Sequence, residues 1–283
     1  MQLVLLTSIT MLAFAGNSVL CRMALAGEVI DAASFTAIRL ASGAVMLTVL
    51  LLFRAEFRGT GRRKILQYGS WSGAAWLCIY ATGFSFAYLS VSTATGALIL
   101  FGAVQLTMMV ASLLSGERPA MRVWAGYILA VGGLLLLLWP GASAPSLWGA
   151  LLMAGAGLAW GLYSILGRKT HHPLAQTAGN FLLTLPMSAV MLLFSINMMH
   201  GNMNGILLAI ASGALASGLG YALWYHVLGR MSAASAATVQ LSVPLLAAAG
   251  GVIVMQEPIT LRLALTGIMI LGGIALVTMK RSA

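Results

Sequence analysis

Apolar residues run along this chain in stretches of 18 to 24 positions, separated by short breaks of charge, proline or glycine. The stretches are too long for strands and lack the period-two alternation of a membrane barrel. A helix crossing a hydrocarbon core needs about 20 apolar residues, so each stretch predicts one spanning helix. The first five are expected near 3–21, 33–53, 66–88, 91–114 and 122–139, and the second five near 147–166, 174–196, 205–228, 233–255 and 262–279. Ala13-Phe14-Ala15 resembles a signal-peptide cleavage site, yet no basic residue precedes the first apolar run and the same stretch recurs later, so a spanning helix is expected.

Composition removes whole classes of function. Of 283 residues 60% are hydrophobic and 7% charged, whereas charged residues make up about a quarter of a globular chain. A soluble enzyme, a DNA-binding module and a disordered tail are excluded. The net charge of +10 would suggest nucleic acid in a soluble protein, but the positions of the basic residues give it another meaning. With the N-terminus in the cytoplasm, the inside connections hold Arg54, Arg58, Arg62, Arg63, Lys64, Arg118, Arg122, Arg168, Lys169, Arg230, Lys280 and Arg281. The outside connections hold only Arg22 and Arg262, and Arg39 falls within a span. Both termini are therefore predicted to be cytoplasmic, with attraction to anionic lipid a secondary consequence. Cys21 and Cys78 offer neither a disulfide framework nor metal-ligand spacing, so no cofactor and no metal are expected.

Internal similarity is the most informative feature. The stretch from Leu12 to Arg22 lines up without gaps on Leu158 to Arg168 at an offset of 146 residues. At an offset of 140, Ser92, Ala94, Ala97, Glu117, Arg122, Gly132 and Gly133 fall on Ser232, Ala234, Ala237, Glu257, Arg262, Gly272 and Gly273. Two repeats, 1–140 and 147–283, each hold an odd number of spans, so the second enters the membrane from the opposite face. The expected fold is thus an all-α integral membrane protein of ten transmembrane helices arranged as two inverted five-helix repeats. Secondary transporters use this plan, with the substrate near the midplane where the halves meet.

Gly-Glu-Arg-Pro at 116–119 and Gln-Glu-Pro-Ile at 256–259, each before a helix containing Gly-Gly, resemble the EamA type of the drug/metabolite transporter superfamily, as does Arg39 early in the second helix. The resemblance covers essentially the whole chain and is most similar to the bacterial aromatic amino-acid exporter branch. It implies a multi-pass exporter of amino acids or related metabolites in the bacterial cytoplasmic (inner) membrane, with a central cavity built from both halves. One departure is Gln105 near the place that Pro244 takes in the second half, so the two helices are expected to bend differently.

Glycines at Gly132-Gly133, Gly250-Gly251, Gly272-Gly273 and the Gly213, Ser217, Gly220 stripe are read as helix interfaces, since helices in lipid associate where backbones approach closely. Cavity candidates are aromatic and amide residues at helical spacing. Trp76, Tyr80 and Phe84 share a face of the third helix, while Ser217, Tyr221, Trp224 and Tyr225 gather on the eighth. Trp160 and Tyr163 lie one turn apart on the sixth, and Asn17, the repeat mate of Tyr163, lies on the first. Trp71, Trp124, Trp139 and Trp148 suit interfacial anchors instead. Gln240, a buried amide on the ninth helix, serves substrate contact or interhelical bonding equally well.

Titratable groups bear on the energy source. Glu28, Asp31, Glu56, Glu117 and Glu257 all map to connections or helix ends, and no carboxylate stands inside a span as proton-coupled antiport usually requires. Glu117 and Glu257 are read as capping the helices they precede. His226 is the intramembrane group that titrates near neutrality and is a possible coupling residue. Arg39 lies near enough to its helix start to snorkel outward, with gating or contact to a substrate carboxylate as the functional reading. His171 and His172 are expected to face water. A pocket of rings, amides and hydroxyls with little fixed charge suits a zwitterionic amino acid, aromatic or otherwise neutral, with broad selectivity. Alternating access by facilitated diffusion is expected, the alternative being a proton-coupled exporter of drugs or other metabolites. The expected partners are a small amino acid and lipid, with no nucleic acid; a monomer is expected, and no enzyme motif is present.

Overall fold

Backbone groups in lipid must be satisfied within their own segment, and the chain meets this with helices. The computed structural model describes residues 2–54, 62–116, 120–141, 144–167, 170–228, 230 and 239–278. The helices are α1 (Gln2–Ala26), α2 (Ala32–Leu52), α3 (Trp71–Ala87), α4 (Thr93–Leu114) and α5 (Met121–Leu138). They continue as α6 (Leu147–Gly167), α7 (Pro173–Phe194), α8 (Met203–Leu228), α9 (Ser242–Met255) and α10 (Leu261–Thr278). A single turn at Arg62–Leu66 precedes α3, and among the described residues the one β-type pairing is an isolated bridge between Ile30 and Gly201. Helices α1, α2, α4, α5, α6, α7 and α8 are long and apolar enough to cross a membrane. The described residues thus form an all-helical, multi-pass arrangement.

Four expected helices differ, the first because α1 runs on to Ala26 instead of ending near 21. Residues 66–70 were expected to begin α3, but Ser70 is an N-cap: its hydroxyl accepts the Gly73 N–H at 3.0 Å, and its own N–H donates to Asn180 Oδ1 at 2.8 Å. A turn at Leu241 separates α9 from the helical residues 239–240, and Pro244, which lacks an N–H, sits in the first turn of α9, where none is needed. The earlier part of that expected span, with Ser232, Ala234 and Ala237, lies outside the described residues, as do Glu56, Glu117 and Arg168. Helix α8 winds as a π-helix over Ala211–Leu219 between α-helical ends, which no sequence feature foretold.

Buried hydroxyls bond within their own helices, Thr36 to the Ala32 carbonyl at 2.7 Å and Ser85 to the Ala81 carbonyl at 3.0 Å, so they can sit in an apolar interior. Large apolar side chains such as Val4, Val45, Ile128, Leu193 and Ile268 are exposed instead, as befits a surface solvated by lipid. Small residues hold the helices together. A Cβ on Gly273 would collide with the Gly126 carbonyl where α5 meets α10, and one on Gly133 would stand 2.9 Å from Met269 and Ile270. Both members of the Gly250-Gly251 pair reach tight contacts, at 2.6 Å to Val19 and 2.6 Å to Glu257, but of the other two pairs only Gly133 and Gly273 do; Gly132 and Gly272 have nothing nearer than 3.6 Å.

Contacts between helices obey an exchange rule. Helix α3 packs on α6 as α1 packs on α8; α4 on α6 as α1 on α9; α2 on α8 as α3 on α7. Helices α2 and α7, α4 and α9, and α5 and α10 face one another. Swapping each helix with the one five places on therefore returns these contacts.

Connections after odd-numbered helices meet in space. Asp31 Oδ2 accepts the His200 N–H at 3.0 Å, Arg262 donates to the Trp139 carbonyl at 2.7 Å, and Arg22 donates to the Tyr88 carbonyl at 2.8 Å. Burial pushes the Asp31 carboxyl up, but hydrogen bonds from Ser34 and His200 outweigh it and hold the group below the usual carboxylate range. Glu257 does not cap the helix it precedes. Gln256 takes a left-handed conformation (φ 53°) that turns the next residue back, and Glu257 Oε2 accepts the Thr93 N–H at the start of α4 at 2.8 Å.

Candidate functional site

Aromatic side chains that are distant in sequence converge inside the bundle. Tyr80 on α3 lies 4.8 Å from Trp160 on α6 between ring centroids, and Trp160 stacks on both Tyr163 (5.4 Å) and Tyr221 of α8 (5.5 Å). Tyr221 also meets Phe14 of α1 at 5.7 Å, Phe181 of α7 at 6.2 Å and Tyr225 at 6.4 Å. Phe84, one turn from Tyr80, extends the cluster to Tyr88 at 4.8 Å. Offset and edge contacts at such separations are the preferred arrangements of rings.

A line of hydrogen bonds runs along one side. Asn180 donates to the Tyr163 hydroxyl at 3.4 Å, Tyr163 to Thr177 at 3.4 Å, and Thr177 and Tyr225 share a bond of 3.0 Å. On the other side Ser212 donates to Asn17 Oδ1 at 2.6 Å, joining α1 to the π-wound part of α8. These amides and hydroxyls can trade partners with a polar solute without leaving a charge unpaired.

Arg39 does not snorkel. It is 3% exposed, with its guanidinium carbon 5.3 Å from the Tyr80 ring centre and 4.9 Å from that of Phe84. A Cβ on Gly213 would collide with the Arg39 carbonyl, so the glycine lets α8 press against α2 at this level. The described acidic groups stay at helix ends: Glu28 in an exposed turn, Asp31 at the start of α2, and Glu257 against Arg22.

Other candidates lie apart from the cluster. Trp224 is buried toward Met11, Ala15, Val243 and Ala247, and among the described residues its ring contact is with Phe14, 6.1 Å away. Trp76 is half-buried and, among the described residues, has no ring contact with the group; Gln240 is half-buried just before the turn that precedes α9. Ser217 is buried in the π-wound stretch. His226 is exposed on the outer side of α8, away from the cluster, because neighbouring Trp224 and Val227 take the inward positions. Phe14, Thr177, Asn180, Phe181 and Ser212 were not foreseen. For α7 the signal was present, since Thr177 and Asn180 stand one turn apart in an apolar run.

A groove of about 460 Å³ on the outer surface between α3 and α6 is lined by Ile79, Phe86, Trp148 and Leu151, and offers an apolar wall to lipid rather than a polar site.

Comparison with known proteins places this arrangement. The threonine/homoserine exporter RhtA of Salmonella typhimurium is 30% identical over 258 residues, spanning 88% of this chain and 80% of that protein, and the model of the EamA-like transporter family matches residues 147–279. The chain belongs to the EamA-like transporter family. An uncharacterized protein of Pseudomonas aeruginosa is 53% identical over 277 residues, spanning 98% of this chain and 94% of that one. A solved crystal structure at 21% identity superposes with a TM-score of 0.64 over 96% of this chain and 97% of that chain, which shows a shared fold. As an EamA-like protein this is a multi-pass membrane transporter of small molecules, in a family of carriers rather than enzymes.

Proposed function

We propose that this EamA-like transporter exports neutral amino acids, aromatic ones included, from the cytoplasm across the bacterial inner membrane. Ten spans form two inverted halves, 1–140 and 147–283, which rock about the aromatic cluster and expose it to each side in turn. The observation that carries this reading is the cluster itself: Tyr80 of the first half packs at a tilt against Trp160, which stacks on Tyr221 of the second, with hydroxyls and amides alongside. Rings bind an apolar or aromatic side chain, while exchangeable hydrogen bonds suit the polar backbone of an amino acid.

The exchange rule among helix contacts supports the inverted halves. The RhtA relatives support an amino-acid cargo and outward transport. Arg22 and Arg262 lie among the connections that meet after odd-numbered helices, while most other basic residues follow even-numbered ones, which supports cytoplasmic termini.

Facilitated diffusion follows from the placement of acidic groups, none of which, among the described residues, faces the cluster. Counterflow of labelled phenylalanine and threonine in proteoliposomes at equal pH on both sides is expected to proceed at full rate with a protonophore present. Strict dependence on a proton gradient would overturn the passive mechanism, and no flux of either solute would overturn the cargo.

A further inference from the structure

Arg39 is buried, and among the described residues no carboxylate stands beside it as a counter-ion. Its Nη2 donates to the Tyr80 hydroxyl at 3.2 Å, and the rings of Tyr80 and Phe84 attract its charge. Nη1 is buried and, among the described residues, has no hydrogen-bond partner. The described carboxylates are engaged or remote: Asp31 is held by Ser34 and His200, Glu257 by Arg22 and Thr93, and Glu28 is exposed in the turn before α2. A guanidinium with a free donor in an apolar interior is expensive to keep, and such residues inside membranes are paired or functional.

The free donor also stands beside the cluster. Tyr80, whose hydroxyl takes Nη2, is the same ring that meets Trp160 at 4.8 Å, and Trp160 stacks on Tyr221. A small molecule with an acid at one end and an apolar body at the other can therefore span from the guanidinium to the rings.

We propose that Arg39 Nη1 is the docking point for the carboxylate of the transported solute. A carboxylate is then the obligatory group on the cargo, and amines that lack it are excluded because they would leave the cation unpaired and add a second one beside it. The proposal deepens the amino-acid reading of the same cluster and rests on it.

Ligand-dependent thermal shift of the purified full-length protein tests it, using phenylalanine, 3-phenylpropionate and phenethylamine at constant pH and ionic strength. The wild type is expected to be stabilised by the first two and not by the amine. Arg39→Gln is expected to weaken both responses at least tenfold, whereas Trp148→Ala, on the outer surface, changes them less than threefold. An amine response equal to that of phenylalanine, no response to any of the three, or Arg39→Gln binding phenylalanine within twofold of wild type would each overturn the proposal. The wild-type comparison needs no variant, so it stands even where Arg39→Gln does not fold. Binding of 3-phenylpropionate without amino-acid counterflow would remove the cargo reading and leave Arg39 in its role; phenylalanine counterflow undiminished in Arg39→Gln would do the reverse.

Discussion

Arg22 at the end of α1 and Glu257 in the connection after α9 form an ion pair at 3.2 Å, and each holds a further element. Arg22 also donates to the carbonyls of Tyr88 and Leu89 at the end of α3, while Glu257 receives the Thr93 N–H at the start of α4. One pair thus joins the last turns of α1 and α3 to the beginning of α4 and the approach to α10, drawing both halves together at one end of the bundle. Both side chains are partly exposed, so the direct coupling is modest, about 1 kcal/mol. A double-mutant cycle with Arg22→Ala and Glu257→Ala, read by thermal unfolding in detergent, is expected to give that coupling and to lose part of it at high salt. Additive losses would show that the pair is incidental.

Close backbone approach sets a second expectation. Gly213→Ala and Gly273→Ala each place a methyl group against a carbonyl of a neighbouring helix, and overpacking of this kind costs about 1–3 kcal/mol. Gly155→Ala meets open space and should leave the unfolding temperature unchanged or slightly raised. Equal behaviour of the three variants would mean that the interfaces are wrongly placed.

Asp31 makes stability depend on pH at the acid end. Its folded value lies below that of an unfolded aspartate, about 3.9. Its contribution is complete above that pH and is lost as pH falls through the folded value, because the unfolded chain then binds the proton more readily. Asp31→Asn is expected to flatten the acid side of the unfolding profile and to cost about 1 kcal/mol at neutral pH, because the amide keeps one acceptor for Ser34 but sets an NH2 group against the His200 N–H. An unchanged acid limb would exclude this role.

The helices were legible in the sequence wherever apolar length alone decides them. The bounds of α2, α4, α5, α6, α7 and α10 fall within about two residues of expectation, an ordinary margin for helix ends. What escaped depends on partners far along the chain. Ser70 begins α3 late because Asn180 receives its N–H, and Glu257 serves α4 rather than α10 because Arg22 and Thr93 lie beside it. The site was half legible for the same reason. Spacing along single helices picked out Tyr80, Phe84, Trp160, Tyr163 and Tyr221, which do meet. It could not tell that Arg39 turns inward, that Trp224 faces α9, or that His226 faces outward, since each depends on how a helix is rotated against neighbours. The π-wound stretch of α8, whose phase departs from 3.6 residues per turn, adds to that difficulty.

The central claim is that the rings where the halves meet form the translocation site. Counterflow of labelled phenylalanine in proteoliposomes containing Trp160→Ala, Tyr221→Ala or Trp148→Ala tests it most directly, with equal protein incorporation verified. Trp160 and Tyr221 stack at 5.5 Å inside the bundle, whereas Trp148 is 72% exposed on its outer surface. Flux is expected to fall at least tenfold in the first two, the equivalent of about 1.4 kcal/mol or more in barrier height, and to stay within twofold of wild type in the third. Equal loss in all three, or retention in the first two, would contradict the account.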